Sequence, residues 1–148
     1  MKEVLEQITQ RVAEEPFAKL LGMQLKDIGP GRSIVEMVFR PEMENIHNMA
    51  HGGAIFALID EAFETASNSH GTVAVALNMN ITYISAPPVG SLLRAEAKEV
   101  SLTRRTASYL ITVIDDQQNL VATCQALVYR KDEKLPFLKG NRKIATDE

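Results

Sequence analysis

One long amphipathic segment, Gly52–Asn68, restricts the fold more than any other feature of the sequence. At about 100° per residue, most of its apolar side chains fall within one arc of roughly 160°. They are Ile55, Phe56, Leu58, Ile59, Ala62, Phe63 and Ala66. A stripe this wide is typical of a helix that is buried along its length, and a sheet face is the simplest cover for it.

The segments around this helix predict strands. Downstream, long stretches without helical periodicity are separated by short turn signals; they are 73–85, 92–102, 106–114 and 120–129. Upstream, alternating segments flank the Gly29-Pro30-Gly31 turn, and a short surface helix is predicted near the start, over 2–13. Successive strands joined by short turns imply an antiparallel meander. We therefore predict an α+β fold in which one antiparallel sheet wraps around one long central helix.

Length and composition fit one soluble domain. The chain has 148 residues, of which 45% are hydrophobic and 24% charged, as in ordinary globular proteins. We expect a single domain over 1–148, with a core at about 17–130 and a charged, frayed tail over 131–148. The net charge of −3 argues against a nucleic-acid-binding protein.

Location is predicted from what the sequence lacks. No apolar run approaches the roughly 18 residues needed to cross a bilayer, and the charged start does not resemble a signal peptide. The single cysteine, Cys124, cannot form an internal disulfide. We expect a cytoplasmic protein with no membrane contact.

The predicted sheet needs a partner. One helix covers only one face of a sheet, and 73–77 and 120–122 do not alternate cleanly between apolar and polar residues. An exposed sheet edge also favours association, which pairing with a second copy would satisfy. The sequence therefore predicts a homodimer.

The start of the long helix is the first candidate for chemistry. His51 is followed by Gly52 and Gly53, and glycines there leave the first-turn N–H groups unobstructed. Such groups carry the positive end of the helix dipole and can bind an oxyanion or a polarised carbonyl oxygen. Alternatively, the glycines merely permit an unusual backbone angle.

Two further polar residues accompany this helix start. Asp60 borders the apolar stripe, where partial desolvation raises a carboxyl pKa and suits it to general-base work. Neighbouring Glu61 and Glu64 are predicted to be solvated. In the preceding loop, Asn45 can orient a water or a carbonyl, or it can simply cap the loop.

The sequence gives less support to three other kinds of site. A metal site made by His47, His51 and Asp60 is disfavoured because the two histidines need not share a face, and we expect no metal. Cys124 lies in an apolar strand and is predicted to be buried and inert. At a predicted turn, Arg104-Arg105 is either a solvated charge cluster or a grip for the phosphates of a nucleotide.

Taken together, these residues resemble a known family. HGGAIFALIDEAF at 51–63, with ASNSHG at 66–71, resembles the hotdog-fold acyl-CoA thioesterases of the phenylacetic-acid-degradation (PaaI-like) type. NMNITYISAP at 78–87 and the Gly90-Ser91 pair also resemble the family. The resemblance covers about 17–130, and its specific part is the spacing of Asn45, the 51–53 motif and Asp60.

The resemblance implies a function and a site. It implies hydrolysis of acyl-CoA in a homodimer, often a dimer of dimers, with no metal or redox cofactor. In each site the segment 45–53 of one chain faces Asp60 of the other. The Gly52 N–H polarises the thioester carbonyl, while His51 and Asn45 position the site. Asp60 either activates water or attacks the carbonyl directly.

Substrate contacts are predicted at several further positions. They are Gly53, Phe56, Asn78, Met79, Asn80, Arg104 and Arg105, the two arginines lying where the family often contacts the coenzyme A nucleotide. This sequence departs from many members at Asn48, where they have glycine, and at 76–77, where some have serine. A non-catalytic acyl-CoA-binding domain is the alternative function, and the acyl preference stays open.

Overall fold

A computed structural model describes residues 1–138 of the chain. The sheet consists of six strands, and the longest helix packs against one of its faces. The helices are α1 (Lys2–Ala13), α2 (Pro16–Leu21) and α3 (Gly52–Asn68), with a short 3₁₀ helix at Pro41–Met43. The strands are β1 (Gln24–Gly29), β2 (Arg32–Val38), β3 (Thr72–Tyr83), β4 (Leu92–Leu102), β5 (Thr106–Ile114) and β6 (Leu120–Lys134).

Every neighbouring pair of strands is antiparallel, in the order β1-β2-β4-β5-β6-β3. The single helix α3 contacts all six strands. Neighbouring strands lie about 4.8 Å apart, so a sheet this wide must curl to keep its two edges against one helix. The predicted α+β architecture, a sheet wrapped around one central helix, is confirmed.

The core lies between α3 and the inner face of the sheet. The alternate side chains of β4 and β5 that face α3 are buried; they are Leu93, Ala95, Ala97, Ala107, Tyr109, Ile111 and Val113. Phe63 of α3 meets Tyr109 edge to face, with ring centroids 5.6 Å apart. Small residues on β4 let the helix approach closely, and larger ones on β5 fill the space beside it.

The chain differs from the prediction near both ends. Pro16 begins a separate helix, α2, because proline lacks the N–H that would continue α1. At the other end, β6 runs to Lys134, and Leu135 is buried in a small cluster with Ile8 and Val12 of α1. The tail therefore begins later than predicted, and residues 139–148 lie outside the described part.

β3 forms one edge of the sheet. It pairs with β6 alone, through a register that shifts between Ala76 and Asn78. Val75, Leu77 and Tyr83 on this strand are exposed. An edge strand with apolar side chains is a template for pairing with another chain.

Within residues 1–138, no helix is both long and apolar enough to cross a bilayer.

Candidate active site

The loop before α3 is folded around one side chain. The Oδ1 atom of Asn45 accepts hydrogen bonds from the backbone N–H groups of His47 (2.8 Å) and Met49 (3.1 Å). Two N–H donors require an acceptor, so this arrangement fixes the amide orientation. Asn48 occupies the left-handed region with φ 57°, which asparagine tolerates. Asn45 therefore caps the loop, and its NH₂ group has no hydrogen-bond partner in the described chain.

His51 caps the start of α3. Its Nδ1 atom accepts the N–H of Gly53 at 2.8 Å, which places the proton of a neutral ring on Nε2. The N–H of Ala54 donates to the His51 carbonyl at 3.0 Å. Among residues 1–138, the Gly52 N–H donates no hydrogen bond. The free donor of the first turn is therefore that of Gly52, whereas the Gly53 N–H is already used.

Tyr83 lies against Gly52. Its hydroxyl donates to the Gly52 carbonyl at 3.1 Å. A Cβ atom at Gly52 would stand 3.3 Å from the tyrosine ring, so glycine permits this close approach. Tyr83 is absent from the sequence-predicted site because nothing in the linear pattern pairs the end of β3 with the start of α3.

Asp60 lies farther along α3. It opens onto a recess of about 320 Å³ that apolar side chains line together with the carboxyl groups of Glu15, Glu61 and Glu64. The apolar lining includes Phe17, Ala57, Phe63, Val75, Ala76 and Val128. The pKa of Asp60 is raised, first by the surrounding protein, which desolvates the carboxylate, and then by the charge of Glu15. Its side chain still reaches solvent in the single chain.

Asp60 and the free N–H are far apart within one chain. The eight residues from Gly52 to Asp60 rise about 12 Å along the helix axis at about 1.5 Å per residue. One thioester carbonyl cannot contact both groups of the same helix at bonding distance.

The prediction that Glu61 and Glu64 are solvated is wrong for Glu61. That side chain is 3% exposed, and it lines the recess together with Glu15 and Phe17 from the start of α2. Burial, and then the charge of Glu64, raise the pKa of Glu61 to about 9. Glu64 is exposed, yet desolvation and the charge of Glu15 raise its pKa to about 7.

These shifts predict a pH-dependent stability. An acid whose pKa is higher in the folded state binds more protons there, so folding weakens as pH rises from about 4.5 towards 9. Glu61→Gln removes this loss. In metal-free buffer we expect the Tm of the variant minus that of the wild type to increase by at least about 3 °C between pH 5 and pH 9.

The exposed neighbour Glu14 provides the matched control. Glu14→Gln should leave the Tm difference nearly constant over the same range. A difference for Glu61→Gln that does not change with pH would contradict the raised pKa.

The other predicted substrate contacts divide between two faces of the sheet. Phe56 is partly exposed one turn before Asp60 on α3. Met79 packs against the core on the helix side. Asn78 and Asn80 alternate with Met79 along β3 and so lie on the opposite face. Asn80 lines a separate recess there, so the structure does not bring it to Asp60.

Arg104 and Arg105 occupy the β4–β5 turn, as the sequence predicts. Arg104 forms an exposed ion pair with Asp132 at 2.7 Å, and Arg105 donates to the Tyr129 hydroxyl at 3.0 Å. Tyr129 is paired with Val75 of β3, which lines the Asp60 recess. The arginines therefore stand at the end of the sheet that carries this recess.

The remaining candidates are placed as follows. Cys124 is a free, buried thiol, and burial raises its pKa. Among residues 1–138, the metal-ligating side chains that converge are Glu15, Glu61 and Glu64, rather than the two loop histidines with Asp60.

Comparison with known proteins identifies relatives over most of this fold. The family profile of the Thioesterase superfamily matches residues 47–122. A putative esterase of Archaeoglobus fulgidus is 41% identical over 135 residues, which is 88% of each chain. The acyl-coenzyme A thioesterase PaaI of Escherichia coli is 34% identical over 113 residues, covering 76% of this chain and 81% of that protein.

Solved structures of other proteins have a similar fold. The E. coli PaaI protein superimposes with a TM-score of 0.86 and 28% identity, over 90% of this chain and 96% of that one. A Streptococcus mutans protein solved with acetyl-CoA bound superimposes with a TM-score of 0.73 and 26% identity, over 76% of this chain and 91% of that one. The matched profile region includes the start of α3, Asp60 and the β3 edge described above.

Proposed function

The chain is a PaaI-like thioesterase of the thioesterase superfamily with the hotdog fold, and from that premise we propose that it hydrolyses acyl-CoA to a free acid and coenzyme A. The observation that carries the proposal is the free Gly52 N–H at the start of α3, together with a carboxyl group, Asp60, of raised pKa. A donor for the carbonyl oxygen and a base beside an apolar recess are what thioester hydrolysis needs. Two relatives support coenzyme A as the leaving group: PaaI by its name, and the S. mutans protein by its bound acetyl-CoA.

We place each active site between two chains. Within one chain, about 12 Å along α3 separates the Gly52 N–H from Asp60. We therefore infer that Gly52 of one protomer acts with Asp60 of another. The exposed apolar edge of β3 supports this assembly, because pairing two such edges satisfies both. Pairing of dimers into a tetramer extends the same proposal.

In this site the reaction follows from two contacts. The Gly52 N–H donates to the thioester oxygen and stabilises the negative charge that develops there. The Asp60 carboxylate either takes a proton from an attacking water or itself adds to the carbonyl carbon. Collapse of the tetrahedral species breaks the carbon–sulfur bond, and the thiolate of coenzyme A leaves and takes up a proton. With the second route, water then hydrolyses the anhydride.

The remaining groups position the substrate. The NH₂ of Asn45 and the Nε2–H of His51 are further donors in the segment that leads to Gly52. The acyl group lies against the apolar side chains of the recess next to Asp60. Arg104 and Arg105 lie at the end of the sheet that carries the recess. A guanidinium there can form bidentate hydrogen bonds to a phosphate of coenzyme A.

A thiol-trapping assay tests the activity. The full chain is mixed with short, medium, long and aryl acyl-CoA thioesters, and the release of coenzyme A is measured. We expect turnover with at least one of these classes. Tight binding of the thioesters without release of thiol would favour the alternative, a non-catalytic acyl-CoA-binding domain.

Mixing two inactive variants tests the shared site. Asp60→Asn lacks the carboxylate and Gly52→Pro lacks the N–H, so each homodimer is expected to be inactive. A heterodimer of the two contains one intact site, and random pairing should restore about a quarter of wild-type activity. The measurement is coenzyme A release after co-expression of the two chains.

The two variants expressed separately and combined afterwards at the same total concentration, without time to exchange subunits, provide the control. If each site were built within one chain, co-expression would restore no activity. That result would contradict the two-chain site without affecting the assignment of thioesterase activity.

A further inference from the structure

Three carboxylates from two parts of the chain converge beside α3. Glu15 lies in the bend between α1 and α2, while Glu61 and Glu64 lie on successive turns of α3. Each residue contributes one carboxylate oxygen, and these three oxygens all lie within 4.8 Å of one another. Glu15 and Glu64 also line a second recess that opens beside α1.

The buried member of this cluster lacks a partner. The side chain of Glu61 is only 3% exposed. Its Oε1 atom accepts no hydrogen bond from residues 1–138. Glu61 lines the recess that Glu15 and Glu64 also line, and an oxygen of its carboxyl group lies within 4.8 Å of an oxygen of each. A buried acceptor without a donor is costly, which points to a group that the single chain does not supply.

No cationic side chain of residues 1–138 neutralises the cluster. None of the ion pairs in that part of the chain includes Glu15, Glu61 or Glu64. The nearby Arg11 lines the adjoining recess, but its guanidinium lies over the ring of Phe137, 6.0 Å from the centroid. Three carboxyl groups thus share one partly buried place without a cationic side chain beside them.

We propose that Glu15, Glu61 and Glu64 form a binding site for a divalent cation that prefers oxygen ligands, with Ca²⁺ as the best fit. Ca²⁺ takes carboxylate oxygens at about 2.3–2.6 Å, so two ligands on opposite sides of it lie about 4.6–5.2 Å apart. Oxygens within 4.8 Å of one another can therefore contact one ion. Water fills the remaining positions on the solvent side, where Glu64 is exposed.

The proposed ion has a structural consequence. Glu15 is the residue before α2, and its backbone is extended at φ −65° and ψ 119° where the chain turns from α1. An ion shared with Glu61 and Glu64 ties this bend to the central helix. The three ligands are not among the groups assigned to the reaction, although they line the same recess as Asp60. Binding of Ca²⁺ is therefore measured separately from the release of coenzyme A, and the two proposals can fail independently.

Calorimetry on the full chain tests the site. Protein treated with EDTA and dialysed is titrated with CaCl₂, and a parallel titration uses MgCl₂. We expect one Ca²⁺ per chain with a Kd between about 10⁻⁵ and 10⁻³ M, and weaker binding of Mg²⁺, which demands a smaller, octahedral set of ligands. Ca²⁺ at saturation should also raise the Tm of the wild type.

Variants of the cluster and of its neighbour separate the proposal from non-specific binding. Glu61→Gln and Glu15→Gln should each weaken Ca²⁺ binding by at least about tenfold, because each removes one charged ligand. Glu14→Gln, which changes the preceding exposed residue, should leave the affinity unchanged. The Tm increase caused by Ca²⁺ should disappear in the first two variants and persist in the third.

Two results would overturn the proposal. One is the absence of saturable binding of either ion to the wild type, which would mean that shared protons alone hold the carboxylates together. The other is equal Ca²⁺ affinity in Glu61→Gln, Glu15→Gln and Glu14→Gln, which would place the bound ion elsewhere on the acidic surface.

Discussion

Replacing Asp60 with asparagine is expected to lower kcat for acyl-CoA hydrolysis by about 10²–10⁴-fold. The amide has nearly the shape of the carboxylate, so the recess and the fold should be preserved. It can neither accept the proton of water at neutral pH nor add to a carbonyl as a strong nucleophile. The measurement is steady-state release of coenzyme A, with circular dichroism to show that the variant is folded.

Asp116→Asn is the matched control, since Asp116 is exposed in the β5–β6 turn and does not line the recess of Asp60. It should leave kcat unchanged. If Asp60→Asn kept most of the turnover, the assignment of the base would be wrong, and another carboxylate of α3 would have to be considered.

Gly52→Pro is expected to lower kcat/KM by about 10²–10³-fold, the usual cost of removing one donor to a developing oxyanion. Proline differs from other residues here because it removes the N–H itself. The backbone accepts it: proline is favoured at the first position of a helix. The preceding His51 already has the extended conformation that proline requires, at φ −65° and ψ 130°.

Gly52→Ala separates loss of the donor from crowding. Alanine keeps the N–H but places a Cβ 3.3 Å from the Tyr83 ring, which must move by a few tenths of an ångström. We expect it to retain far more activity than Gly52→Pro. Equal losses in the two variants would mean that the contact with Tyr83, rather than the N–H, explains the requirement for glycine.

The central helix could be predicted from the sequence because its signals agree with one another. The apolar stripe, the glycines at its start and the absence of strand alternation all indicate Gly52–Asn68, and the structure has the same bounds. The strands β4 and β5 were likewise predicted to the residue, since clear turn signals flank both. The resemblance to the PaaI-like family agrees with the comparisons because the 51–63 motif is specific.

What the sequence did not reveal depends on contacts between distant segments. Periodicity places Glu61 off the apolar stripe, but the fold lays the α1–α2 bend over that side of α3 and buries it. The interpretation of Glu61 as solvated rests on the periodicity of α3 alone. Likewise, the Gly53 N–H is occupied because the His51 ring turns back onto it, a choice of side-chain conformation that spacing cannot show.

The strand order also determines when during synthesis the sheet can be completed. β3 leaves α3 and lies at the far edge of the sheet, where its partner is the last strand, with Thr72 opposite Lys134. Contacts between segments so distant in sequence form late, because loop closure must come first. A nascent chain that has completed β3 therefore holds this strand without its partner until β6 has been made. Association with a second copy through this edge is therefore expected only after β6 has ordered it.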